Sequence, residues 1–133
     1  MIEESKYALN LLKKKDYYIS ELYKKMLHKG FPLCNINKVI KDLVINNYIN
    51  DKKLVHLKIE NLINEKRYGK KYIYNYFEKK HISINLVYYF INNYYQDIII
   101  ENKTKIINEL KTLGKDDSEI EYILKKKGYE INE

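Results

Sequence analysis

Apolar residues recur three or four positions apart along most of this chain, the period of a helix with one buried face. Tyr7 to Lys15 reads as a short helix turned inward through Ala8, Leu11 and Leu12, and Asp16 with the tyrosines after it breaks the pattern. Ile19 to Lys29 is a second helix, with Leu22, Met26 and Leu27 on one side, stopped by Gly30 and Pro32. Asn35 is placed to cap a third, carrying Ile36, Val39, Ile40, Leu43 and Val44 inward. Asp51 is expected to cap a fourth, with Val55, Ile59, Leu62 and Ile63 on one face. Gly69 is expected to end that helix in the left-handed conformation. A further helix follows, with Ile73 and Phe77 as its stripe and a basic flank. Tyr72, Tyr74 and Tyr76 alternate there and give a strand as the local rival. Ser83 is placed to cap the next element, and Ser118 with Glu121 makes a capping box further on.

The stripes form an internal repeat. From Gly30, apolar residues lie at −8, −4, +6, +9 and +10: Leu22, Met26, Ile36, Val39 and Ile40. From His81 the same offsets give Ile73, Phe77, Val87, Phe90 and Ile91. From Gly114 they give Ile106, Leu110, Ile120, Ile123 and Leu124. One helix–turn–helix pattern is thus written three times, and the match at 73 and 77 favours helix over strand there. The origins are 51 and 33 residues apart, so the first interval holds a full extra helix and the second does not. Three-helix units follow, the third with a shortened first helix somewhere within 94–104. Their expected extents are about 6–48, 51–92 and 94–128, within one domain spanning 1–133. Stacked units of this kind bury their faces against neighbours and leave a curved outer surface.

Composition narrows the picture. With 45% hydrophobic residues the chain has enough for a core, and one proline and four glycines are too few for a many-stranded β fold. All-α is the expected class. The net charge of +7 points to an anionic partner, although a chain so rich in Lys, Asn, Ile and Tyr owes part of its lysine excess to base composition. Arg67 is the only arginine, which leaves lysine point charges to do most anion binding. The single cysteine, Cys34, excludes an internal disulfide and reads as a small, partly buried apolar residue. No signal-peptide pattern and no apolar run of membrane-spanning length is present, so a cytoplasmic protein with no membrane role is expected.

Catalytic chemistry is not legible. His28, His56 and His81 have no His or Cys three or four residues away, so no metal site is expected. No nucleophile–histidine–acid set and no glycine-rich phosphate loop can be assembled. Glu3-Glu4 and Asp116-Asp117 fit solvated or capping roles. No enzyme and no cofactor is expected. What signal there is lies in the basic cluster Lys66, Arg67, Lys70, Lys71, Lys79 and Lys80, opposed only by Glu78. Lys13-Lys14-Lys15 and Lys125-Lys126-Lys127 read as solvated faces. The fifteen tyrosines suggest base stacking, but most suit core edges and exposed filler.

One family resemblance ties these pieces together. Asn47-Tyr48-Ile49-Asn50-Asp51, then Leu54 and Val55, then Tyr68-Gly69, Ile73, Phe77 and Lys80-His81-Ile82 resemble the RecX proteins, regulators of the RecA recombinase. That family carries a Gly-Tyr-Leu-Asp-Asp-like turn, a long helix, and Gly-x-x-x-Ile-x-x-x-Leu-x-x-Lys-Gly-Ile. Ala8-Leu9, Leu11-Leu12, Glu21-Leu22, Met26-Leu27 and Lys29-Gly30-Phe31 look like its opening helices. The resemblance spans roughly 6–128 and is looser in the last third. Asn47 and His81 stand where the family favours Gly, Leu54 where it favours an aromatic, and Tyr18 where it favours Ser or Thr.

The resemblance implies an elongated, bent array of three tandem three-helix units. It also implies a monomer that binds along the groove of the RecA–single-stranded-DNA filament. There such a protein inhibits RecA activity in recombination and the SOS response. Charge and position nominate the six residues of the central basic cluster as filament contacts. The alternative is a general DNA-binding helix–turn–helix protein or transcription factor, against which the near absence of arginine counts. An interaction scaffold with no nucleic-acid role is a third reading.

Overall fold

The computed structural model describes residues 2–131, and among them there is no strand. Helices α1 (Ile2–Lys14), α2 (Ile19–Lys29) and α3 (Leu33–Ile45) come first. Helix α4 (Asp51–Glu60) runs directly into a π-helical turn, Asn61–Glu65. Helix α5 (Lys70–Lys79) follows, so the alternating tyrosines are helical. Then α6 (Ile84–Phe90) passes through a second π-helical turn (Ile91–Tyr95) into α7 (Gln96–Thr112), and α8 (Asp117–Lys126) closes the chain. No turn separates α6 from α7. The third unit's leading helix exists only as the first turns of α7, joined to its predecessor without a loop.

The chain divides into two compact units, one ending at Leu54 and the other beginning at Val55. In the first, α1, α2 and α3 pack on one another around Ala8, Tyr17, Leu22, Met26, Ile36, Val39, Ile40, Leu43 and Ile49. Burying each larger side chain is worth roughly 1.5–3 kcal/mol, which holds three short helices that would not persist alone. The second unit is centred on Val55, Ile59, Ile63, Ile73, Phe77, Val87 and Ile91, with α5 packed on α6 and α7 on α8. Of the fifteen repeat positions all are buried except Leu110 and Ile123, which are half-buried. The backbone repeats as well. Gly30, His81 and Gly114, the three origins, all take positive φ, at 98°, 58° and 82°.

Several local expectations are corrected. Asn50 caps α4, its Oδ1 accepting from the Lys53 N–H at 3.1 Å. The Asp51 carboxylate reaches back to the start of α2, accepting from the Ile19 N–H at 2.9 Å. Burial, with the Glu21 charge beside it, pushes the Asp51 carboxyl above its usual value despite that bond. Asn35 lies inside the first turn of α3 and donates to Glu4 Oε2 at 2.7 Å, so Glu4 is buried and paired where a solvated or capping role was expected. Asp116, one turn before Glu119, caps α8 by accepting its N–H at 2.9 Å, and Ser118 falls within the helix. Val44 and Cys34 are exposed, because both sit off the core-facing stripe of α3.

The π turns have a geometric reason. Val87, Ile91, Tyr95 and Ile99 are all buried at intervals of four. On an α-helix each such interval overshoots a full turn by about 40°, so the stripe would rotate out of the core. A wider π turn takes the rotation back.

Replacing Asp51 by Ala is expected to cost about 1 kcal/mol, because the Ile19 N–H loses its acceptor. Asp51→Asn, which keeps an acceptor and removes a half-buried charge, is expected to stay within about 0.5 kcal/mol of the parent. Urea denaturation of the two variants checks both values.

Candidate functional site

The turn between the first π segment and α5 bends because Arg67 adopts a left-handed backbone, φ 55°. This corrects the expectation for Gly69, which is extended at φ −85°, ψ 173° and precedes α5 as its N-cap. Gly69 is required for a different reason. A Cβ there would lie 2.5 Å from the carbonyl oxygen of Gly128. Gly128 in turn has φ +92°, and a Cβ on it would collide with the backbone nitrogen of Tyr72. The two bare backbones approach closely enough for the Gly69 N–H to donate to the Lys127 carbonyl at 2.8 Å. The Lys71 N–H donates to the Gly128 carbonyl at 3.1 Å.

Side chains reinforce this clasp. Lys127 Nζ donates to the Lys66 carbonyl at 3.1 Å, and the Tyr129 hydroxyl donates to the Arg67 carbonyl at 2.6 Å. Burial pushes the Tyr129 hydroxyl up to about 12, against the pull of the nearby Arg67 charge. From α7, buried Asn102 donates to the Ile63 carbonyl in the π turn at 3.0 Å. Asn102 and Tyr129 carried no signal in the sequence, since a polar residue inside a stripe and a tyrosine near the C-terminus are both commonplace.

The six basic residues of the central cluster have different fates. Arg67 is committed within the unit, its guanidinium donating to both carboxylate oxygens of Glu109 at 3.0 and 2.9 Å. That pairing holds the Glu109 carboxyl below its usual value and raises Arg67. The pair therefore favours the fold above the ordinary carboxylate range and is lost as pH falls below it. Lys66 is exposed beside it. Lys70 and Lys71 open α5, and Lys79 and Lys80 close it, so the cluster splits into two pairs roughly 15 Å apart along the helix. Lys80 Nζ lies 5.9 Å from the centre of the Tyr76 ring.

Lys70 and Lys71 line a cleft of about 440 Å³. Tyr74 and Asn75 of α5, one turn on, and Tyr88 and Asn92 opposite form its walls, with Gly128 and Glu130 completing it. The Tyr74 and Tyr88 rings are nearly parallel, 17° apart, with centroids separated by 6.3 Å. Elsewhere in the unit His56 stacks on Phe90 at 4.7 Å, and its Nε2 lies 2.9 Å from the Tyr95 hydroxyl, so it serves the core of the second unit. Among the described residues no group of three His, Cys, Asp or Glu is placed to hold a metal ion. None of the described helices is long and apolar enough to cross a membrane.

No family model and no curated protein matches this sequence. Solved structures do match its fold. A crystal structure of RecX from Lactobacillus salivarius superposes with a TM-score of 0.85 at 21% identity, covering 98% of this chain and 88% of that one. A crystal structure of a regulatory protein RecX gives a TM-score of 0.81 at 16% identity, covering 98% of this chain and 68% of the other. The fold is that of the RecX proteins, an all-helical repeat.

Two sets of variants test the clasp. Gly69→Ala and Gly128→Ala are each expected to destabilise by about 1–3 kcal/mol, since backbone, not a flexible side-chain tip, must move. Tyr129→Phe is expected to cost about 1 kcal/mol near neutral pH through the lost hydrogen bond. The parent favours the neutral phenol in the fold. Its contribution is complete below the usual value of 10.0 and fades as pH rises towards about 12. The stability gap between parent and Tyr129→Phe, followed by urea denaturation, should therefore narrow across that window.

Proposed function

We propose that this chain is a RecX-like regulator that binds the RecA–single-stranded-DNA filament and inhibits RecA activity in recombination and the SOS response. The observation that carries this reading is the fold likeness, a TM-score of 0.85 with RecX over 98% of the chain. The residue resemblance supports it independently. Asn47 and His81, which replace glycines of the family pattern, both hold the left-handed backbone that glycine favours, at φ 61° and 58°.

Regulation of this kind needs no catalytic pocket. A nucleoprotein filament is a polyanion, and a basic helical array binds it through many modest contacts. Lys70, Lys71, Lys79 and Lys80 are the contacts on this reading, with Lys66 beside them. Arg67 acts by holding the turn that carries them, its own charge being paired with Glu109. The protein works as a cytoplasmic monomer, occupying a surface that exists only on the assembled filament.

The test compares two charge reversals. Lys70, Lys71, Lys79 and Lys80 changed together to Glu should weaken filament binding at least tenfold and abolish inhibition of RecA ATP hydrolysis on single-stranded DNA. Lys125 and Lys126 changed to Glu should do neither, because Glu121 already pairs with Lys125 one turn away; Lys127 is spared because it serves the clasp. Circular dichroism must show unchanged helicity in both. If the parent at equimolar ratio leaves the ATPase rate untouched and does not sediment with filaments, the regulator reading fails. Equal inhibition by both variants would move the contact surface elsewhere.

A further inference from the structure

We propose that the cleft between the start of α5 and the junction of α6 with its π turn seats one unpaired nucleotide of a single strand. Lys70 and Lys71 take the phosphate, and Tyr74 and Tyr88 take the base. The proposal goes beyond filament binding, since it concerns free single strands and requires no recombinase.

The sequence places these groups on two facing helix surfaces. Lys70 with Tyr74, and Lys71 with Asn75, are four apart and share one side of α5; Tyr88 and Asn92 are four apart on the opposite wall. Asn92 belongs to the π turn, a distortion frequent at functional sites because it re-aims side chains out of helical register. The cleft, at about 440 Å³, is of a size that takes small ligands.

Its chemistry suits a nucleotide. Two nearly parallel phenol rings line the cleft, and Tyr88 is 56% exposed although such a ring gains by being covered. Every base has a π face, so stacking there is tolerant of sequence. The Asn75 and Asn92 amides are exposed at the rim and each offers both donor and acceptor to a base edge. An acidic peptide would satisfy the two lysines but would make no use of the π face of Tyr88. Glu130 is the one acid on the lining. It lies close to Lys71, whose N–H bonds the Gly128 carbonyl two residues before it, and so its charge works against phosphate there.

Binding of the full chain to a fluorescent ten-residue oligothymidylate at low salt, without recombinase, tests the proposal. A strand of the same length with abasic sugars is the comparison. The thymidylate strand is expected to bind about tenfold tighter than the abasic one. Tyr88→Ala should erase that difference while Tyr88→Phe keeps it, with circular dichroism showing both folded. Lys70→Glu with Lys71→Glu should weaken both strands and flatten the salt dependence by about 0.7 in log–log slope per lost phosphate. Glu130→Gln should tighten both, which a merely structural role would not do.

Equal affinity for abasic and thymidylate strands, no effect of Tyr88→Ala on their ratio, or no binding to either strand would overturn the proposal. Polyglutamate displacing the strand as readily as oligothymidylate would also overturn it, assigning the lysines to an acidic protein. Strand binding that survives when filaments are not bound leaves this proposal standing and removes the regulator reading; filament binding with no base preference does the reverse.

Discussion

The close approach of two backbones at Gly69 and Gly128 governs the architecture of the second unit. Neither residue has a side chain to spare, because the space a Cβ would fill is taken by the other strand of chain or by Tyr72. The approach lets the segment after α8 hydrogen-bond the turn before α5, with Lys127 and Tyr129 closing the carbonyls of Lys66 and Arg67. A turn of this kind, with a non-glycine residue at positive φ, holds a conformation that is unfavourable by itself. It persists because the surrounding bonds over-determine it.

That constraint also arranges the charges. Six basic residues close in sequence are sorted into separate roles by where the turn and α5 place them. Arg67 is drawn into a two-bond pair with Glu109, forty-two residues away. Lys70 and Lys71 are delivered to the edge of a cleft whose far side is the α6 π turn and whose lining includes Gly128 itself. Lys79 and Lys80 are left at the other end of the helix. Charge count alone would have treated these six as equivalent, whereas an ion-paired guanidinium and an exposed ammonium differ sharply in what they offer a phosphate.

The same logic explains the two π turns. A stripe of buried residues at intervals of four cannot stay on one face of a long α-helix, so the helix widens where the stripe demands it. At the first π turn the Ile63 carbonyl is met by buried Asn102, which keeps a polar group satisfied inside an apolar unit. At the second, the widening places Asn92 at a cleft and Tyr95 against His56.

The sequence by itself determined the helical class, the three repeat origins and most core positions, because these depend on local periodicity; it missed buried Tyr17, Ile49, Tyr95, Ile99 and Tyr129 and turned exposed Leu27 and Val44 inward. Leu22, Met26, Ile73, Phe77, Ile106 and Leu124 were all legible from spacing alone, whereas the left-handed backbone at each origin emerged only in the structure. The RecX-like order of motifs was legible for the same reason. Tertiary structure alone decided which polar residues serve which partners. Asp51 caps a helix thirty-two residues upstream while Asn50 caps its own, Glu4 is buried against Asn35, and Gly69 is needed for a close approach instead of a left-handed turn. Such pairings are set by distances between segments remote in sequence, to which no local pattern is sensitive. The candidate site divides in the same way. Its lysines announced themselves as a charged run, but the wall they share with Tyr88 and Asn92 exists only once α6 packs on α5 and the chain end is clasped beneath them.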